Sequence, residues 1–131
     1  MKCNFSYLHY KEILEVALSN NYNFINFFEF IDKNEFQKKK IDKEKICLLR
    51  HDIDYETDKI YSIAKIEYDL GIKSTYFYQT CAWEYNSRQK ETVRIAKELS
   101  KMGHHLGVHL DISWYEDISI EKISTYFLKE K

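Results

Sequence analysis

The apolar run KICLL (45–49) leads without a break into RHDID (50–54). A continuous apolar stretch of that length suits a strand covered on both faces, as in a parallel sheet. Arg50, His51, Asp52 and Asp54 do not suit a bare hydrophobic core, so the strand must end at a polar rim. STYFYQ (74–79), rich in β-formers, reads as a second strand, and HHLGVHL (104–110) as a third, short and broken by Gly107. Between them, residues 56–70 carry Ile60, Ile63, Ala64, Ile66 and Leu70 largely on one side of a helix that Gly71 can end. Asn86, with Gln89 three residues on, resembles a capping box that opens a helix running to Met102, with Gly103 as its stop. Strands alternating with helices of this length imply parallel βαβ connections.

The chain before KICLL is helical in pattern. Tyr10, Ile13, Leu14, Ala17 and Leu18 form an apolar face over residues 7–18, and INFFEFIDK reads as a second short helix. The lysine-rich KKKIDKEK (38–45), interleaved with Asp42 and Glu44, reads as a solvated loop. Asp117 is placed to cap a last helix, ISIEKISTYFLKEK. The expectation is an α/β fold: a partial (β/α) barrel of parallel strands, with three βα units preceded by two helices, in a single truncated domain spanning 1–131. A small parallel sheet leaves an open edge, which self-association or a complementing chain would cover.

Composition narrows the function. A chain of 131 residues with 44% apolar and 16% aromatic residues supports one domain with a real core. A formal charge of −1 gives no global field toward nucleic acid or anionic membranes. No segment approaches the ~20 apolar residues of a membrane span, and the N-terminus has no signal-peptide pattern. Cys3, Cys47 and Cys81 form no C-x-x-C, which fits a reduced, cytoplasmic protein.

In parallel α/β folds chemistry gathers beyond the C-terminal ends of the strands. The first strand runs into His51, Asp52 and Asp54, the third into His109 and Asp111, and the second ends at Gln79. Adjacent parallel strands bring these groups to one rim. Two carboxylates two residues apart can divide the work, one binding a divalent metal and the other acting as base. A neutral imidazole such as His109 adds a nitrogen ligand of the kind Zn²⁺ takes, in sites that usually have three protein ligands and an open position. His105 shares a strand face with His109 but lies about 13 Å away at ~3.3 Å per residue, so the two meet at one metal only if Gly107 bends the chain sharply. Asp111 and His51 are the other candidates for a third ligand. His51 alternates in direction with Asp52, so only one of them points to the interior of a regular strand. Arg50 is placed to hold Asp52 ionised. His104 reads as a cap of the preceding helix. Tyr55, Tyr76, Tyr78, Trp83, Tyr85 and Trp114 are either core packing or sugar-stacking faces.

LLRHDID, followed by AKIEYDLGIKSTYFYQ, YN and ELSKMGHHLGVHLD, resembles the polysaccharide deacetylase family over residues 46–111. These are carbohydrate esterases that remove N- or O-acetyl groups from glycans, and the likeness is to a branch found with surface-polysaccharide genes. The resemblance implies a distorted (β/α) barrel and a divalent metal, commonly Zn²⁺, held by one aspartate and two histidines. Position by position, it makes Asp52 the general base on the attacking water, Asp54 the metal-binding aspartate and His109 the first metal-binding histidine. The second histidine of the family's H-x-x-x-H falls at Ser113, a poor zinc ligand. The resemblance implies an acetylated sugar or glycan as substrate and hydrolysis of an amide C–N bond as the reaction. The rival expectation is a truncated, non-catalytic deacetylase-like domain without a functional metal site.

Overall fold

The computed structural model describes residues 5–36, 45–54, 58–79 and 89–110, together with Ser119. Most of the lysine-rich stretch, the Asn86 end of the expected capping box and nearly all of the helix expected after Asp117 lie outside these residues. In chain order the elements are α1 (Tyr7–Ser19), β1 (Asn23–Ile25), α2 (Phe27–Phe36), β2 (Ile46–Leu48), β3 (Arg50–Ile53), α3 (Asp58–Asp69), β4 (Thr75–Gln79), α4 (Lys90–Lys101) and β5 (His105–His109). Every strand pairing is parallel. β1 pairs with β2, and β3, β4 and β5 form a second sheet in that order.

The path of the first strands differs from the sequence expectation in two ways. NFI (23–25) is a strand between the two N-terminal helices rather than part of a turn and a helix. The expected strand at 45–49 is only the first part of a longer path. β2 pairs with β1, the chain passes through Leu49, and RHDI continues as β3 beside β4. The Leu49 carbonyl accepts the Thr75 N–H at 3.0 Å, so the second ladder begins where the first stops. Asp52 therefore lies inside a strand, and Asp54 just past its end.

Local chemistry sets the element ends. Helices α1, α3 and α4 all close with the same paired turn. In each, the residue after the cap has positive φ: Asn21 at 62°, Gly71 at 71° and Gly103 at 88°. Its N–H and the next one return to the last turn, as Gly103 N to Ser100 O (3.0 Å) and His104 N to Leu99 O (3.1 Å). His104 thus caps α4 through its backbone, which leaves its ring for another use. At the start of α2, Asn26 Oδ1 accepts the Glu29 N–H at 2.8 Å, and the Asn26 N–H donates to Glu29 Oε2 at 3.3 Å. This reciprocal cap fixes the helix start at Phe27. α4 opens later than its sequence suggests, at Lys90, with Gln89 at the cap position and no side-chain cap bond.

Alternation along the strands sorts side chains onto two faces. On one face Ile53, Tyr76 and Leu106 pack with Ile60 and Ala64 of α3 and with Ile95 and Leu99 of α4. A second cluster joins Leu14 of α1, Phe24 of β1 and Ile72. The opposite face of the sheet, read through the register Arg50↔Thr75↔His105 and Asp52↔Phe77↔Gly107, carries Arg50, Asp52 and His105 around the Phe77 ring. The first turn of α2 reaches its lower end, where the Phe27 ring meets Phe77 edge-on at 5.8 Å and Phe28 lies 5.7 Å from the His105 ring.

Gly107 does not break β5, which stays in register with β4 from His105 to His109. Its role is space. A Cβ there would sit 2.5 Å from the Phe77 ring, itself held between Phe27 and the Arg50 guanidinium. Gly107→Ala is expected to cost about 1–3 kcal/mol by overpacking, measurable as a lower urea midpoint with unchanged slope.

Candidate functional site

Side chains from the C-terminal ends of β3 and β5, which flank β4, come together on the face turned away from α3 and α4. His109 stands at the end of β5, opposite Gln79 of β4. Asp54 follows the last residue of β3, and its Oδ1 lies 3.4 Å from His109 Nδ1. That nitrogen is out of contact with solvent and makes no hydrogen bond. Asp52 sits two residues back on the same face. Arg50 Nε donates to Asp52 Oδ1 at 2.7 Å, and the guanidinium lies 4.6 Å from the centre of the Phe77 ring. Arg50, expected to hold Asp52 charged, is thus in direct contact with it.

The other candidates for a third ligand fall elsewhere. His51 points to the opposite face, because one residue along a strand reverses the side chain. Its ring stacks on Tyr76 with centroids 4.5 Å apart, and its Nε2 donates to Glu67 Oε1 at 2.6 Å. His105 stays four residues from His109 along an unbent strand, packed against Phe28. Asp111 and Ser113 lie outside the described residues, as do Tyr55, Trp83, Tyr85 and Trp114. Among the described residues no group of three His, Cys, Asp or Glu side chains is close enough to hold a metal ion. The donors present still fit two legs of a zinc site. Two ligand atoms about 2 Å from a tetrahedral Zn²⁺ stand about 3.3 Å apart, and Asp54 and His109 are 3.4 Å apart.

Beneath the sheet lies a polar cluster that the sequence reading missed. Glu67 of α3 is fully buried. Its carboxylate accepts from Tyr10 Oη (2.5 Å), His51 Nε2 (2.6 Å), Ser74 Oγ (2.6 Å) and Tyr76 Oη (2.7 Å). Burial alone would push this carboxyl up, but the bonds from His51, Ser74 and Tyr10 outweigh it and hold the group below the usual carboxylate range. Burial pushes the Tyr10 and Tyr76 hydroxyls up, reinforced by the Glu67 charge, so both remain donors. The signal for Glu67 was available. It falls in step with Ile60 and Ala64 on the apolar stripe of α3, where a carboxylate is out of place.

His104 closes the cluster. Its Nε2 donates to the Ala64 carbonyl at 3.1 Å, and burial lowers its pKa, so the ring is neutral and Nδ1 is an acceptor. The Ser74 N–H is 3.3 Å from that nitrogen. Serine, histidine and glutamate are all present here, yet they do not make a nucleophilic relay. Ser74 Oγ lies 2.9 Å from His104 Nδ1 but donates its single proton to Glu67 Oε2, and the hydroxyl is buried away from any substrate. The cluster is structural, and it lies on the face opposite the Asp54–His109 mouth.

No helix among the described residues is long and apolar enough to cross a membrane. Comparison of the chain with protein-family models, with curated proteins and with solved structures produced no match in any of the three.

Proposed function

We propose that this chain is the metal-binding part of a deacetylase-like (β/α) barrel that hydrolyses acetyl groups from a sugar or polysaccharide. One observation carries the proposal: Asp54 and His109, from two different strands, stand 3.4 Å apart at the C-terminal rim. Parallel pairing of neighbouring strands in chain order, with α3 and α4 packed on one face, supports the barrel-like part of it. The polar face of the sheet would then be the interior.

Asp54 Oδ1 and His109 Nδ1 would hold a divalent ion, with a third ligand supplied from beyond residue 110. A bound ion of this kind polarises an acyl carbonyl and lowers the pKa of water. Asp52 would take the proton of the attacking water through the oxygen not bonded to Arg50, and then return it to the leaving nitrogen. Arg50 would keep Asp52 oriented on the interior face. The Phe77 ring, given room by Gly107, lies against the Arg50 guanidinium.

The test is acetate release from a panel of N-acetyl sugars, with the chain stripped of metal and then given Zn²⁺. Zinc-dependent acetate production is expected. Neither zinc binding nor acetate release would favour the rival, a non-catalytic deacetylase-like domain without a functional metal site.

A further inference from the structure

We propose that Glu67 and His51 are positioning residues for Asp52 and Asp54, acting across the sheet from the face opposite the rim. The inference rests on the metal-site reading above and deepens it. Strand side chains alternate strictly, so whatever fixes the direction of residue 51 also fixes 52 and 54. β3 is only four residues long and has β4 on one side, so its own ladder gives it few restraints. Its two anchors on the side facing the helices are Ile53 and His51. Ile53 fills the apolar cluster and supports the same phase by burial, and His51 adds a directional bond to it.

His51 is held far more specifically. Its ring stacks on Tyr76, its neighbour in register, and meets Tyr10 edge-on at 6.4 Å. Its Nε2–H is bonded to a carboxylate that also collects hydroxyls from α1, from the approach to β4 and from β4 itself. Glu67 is carried on α3, the helix that directly follows Asp54 and the short connection after it. One buried group therefore ties the helix after the rim to the strand before it. A one-residue slip of β3 would break the His51 bond and exchange Asp52 for His51 at the interior. The Arg50–Asp52 pair on the other face shows the same phase from the opposite side.

The test uses the full chain with three variants: Glu67→Gln, His51→Phe and His51→Gln. His51→Phe keeps a ring on Tyr76 and removes the N–H. His51→Gln keeps an N–H donor near the same place. Two readouts are taken on the folded fraction: Zn²⁺ affinity with the visible spectrum of the Co²⁺ form, and, without metal, the NMR shifts of the Asp52, Asp54 and His109 backbone amides. In His51→Phe and Glu67→Gln the affinity is expected to fall tenfold or more, with a changed cobalt spectrum and displaced rim amides, and His51→Gln is expected to recover most of both. Folded variants with wild-type affinity, spectrum and rim shifts would overturn the proposal and leave Glu67 a purely structural group. Should Glu67→Gln fail to fold, the two His51 variants decide. If the wild-type chain binds no metal, the metal-site reading falls separately and the metal-free shifts decide this inference: displaced rim amides in His51→Phe, restored in His51→Gln, support it, and undisturbed ones overturn it.

Discussion

Glu67→Ala is expected to lower the unfolding free energy by about 3–5 kcal/mol, a large share of what a domain of this size has. The substitution removes the common acceptor of Tyr10, His51, Ser74 and Tyr76, of which Ser74 and Tyr76 are buried and the other two half-buried. Each stranded donor costs about 1–3 kcal/mol, less where water follows into the space left behind. Glu67→Gln keeps the shape and one acceptor oxygen, so a smaller loss is expected. Urea unfolding at neutral pH measures both. The same site sets the response to acid. Glu67 titrates lower when folded than when unfolded, so its contribution is complete above the ordinary carboxyl pKa of about 4.3 and is lost as the pH falls through its own lower value. His104 is held neutral with a lowered pKa, so below about 6.5 the unfolded chain gains a proton that the folded chain refuses. Both groups therefore weaken the fold on acidification, His104 first. In Glu67→Gln the lower limb should flatten while the His104 limb stays.

Asp52→Asn and Asp54→Ala should fail in different ways. Asp52→Asn keeps the hydrogen bond to Arg50 but cannot accept a proton, so acetate release is expected to fall about 10²- to 10⁴-fold while zinc binding is kept. Asp54→Ala removes the proposed oxygen ligand, so zinc binding and turnover should be lost together. A steady-state assay paired with a zinc titration separates the two. Equal zinc loss in both variants would mean that the carboxylates do not divide the work.

Much of the frame can be read from the residues. Three amphipathic helices, β4 and β5 announce themselves by period and by the glycines at 71 and 103. The convergence of residues 52–54 with 109 follows from parallel pairing alone. NFI could not be read as a strand, because three residues in an asparagine-rich segment carry no period and become β only through pairing with β2. The partition of KICLL from RHDI was hidden for a related reason. The chain changes partner at Leu49, and a change of neighbour leaves no mark on hydrophobicity. His51 illustrates the limit at the site. Its alternation with Asp52 was legible, but which of the two faced inward depended on Glu67, sixteen residues later on a helix. Gly107 reads as a break in a strand, and only the Phe77 ring beside it reveals that the glycine makes room.

The most direct test is calorimetric titration of the metal-stripped chain with Zn²⁺, wild type beside His109→Ala. The expected result is one binding site in the wild type that is lost, or weakened by orders of magnitude, in the variant. No binding by the wild type, or equal affinity in both, would mean that the 3.4 Å approach of Asp54 and His109 is an ion pair at a strand end and not a metal site.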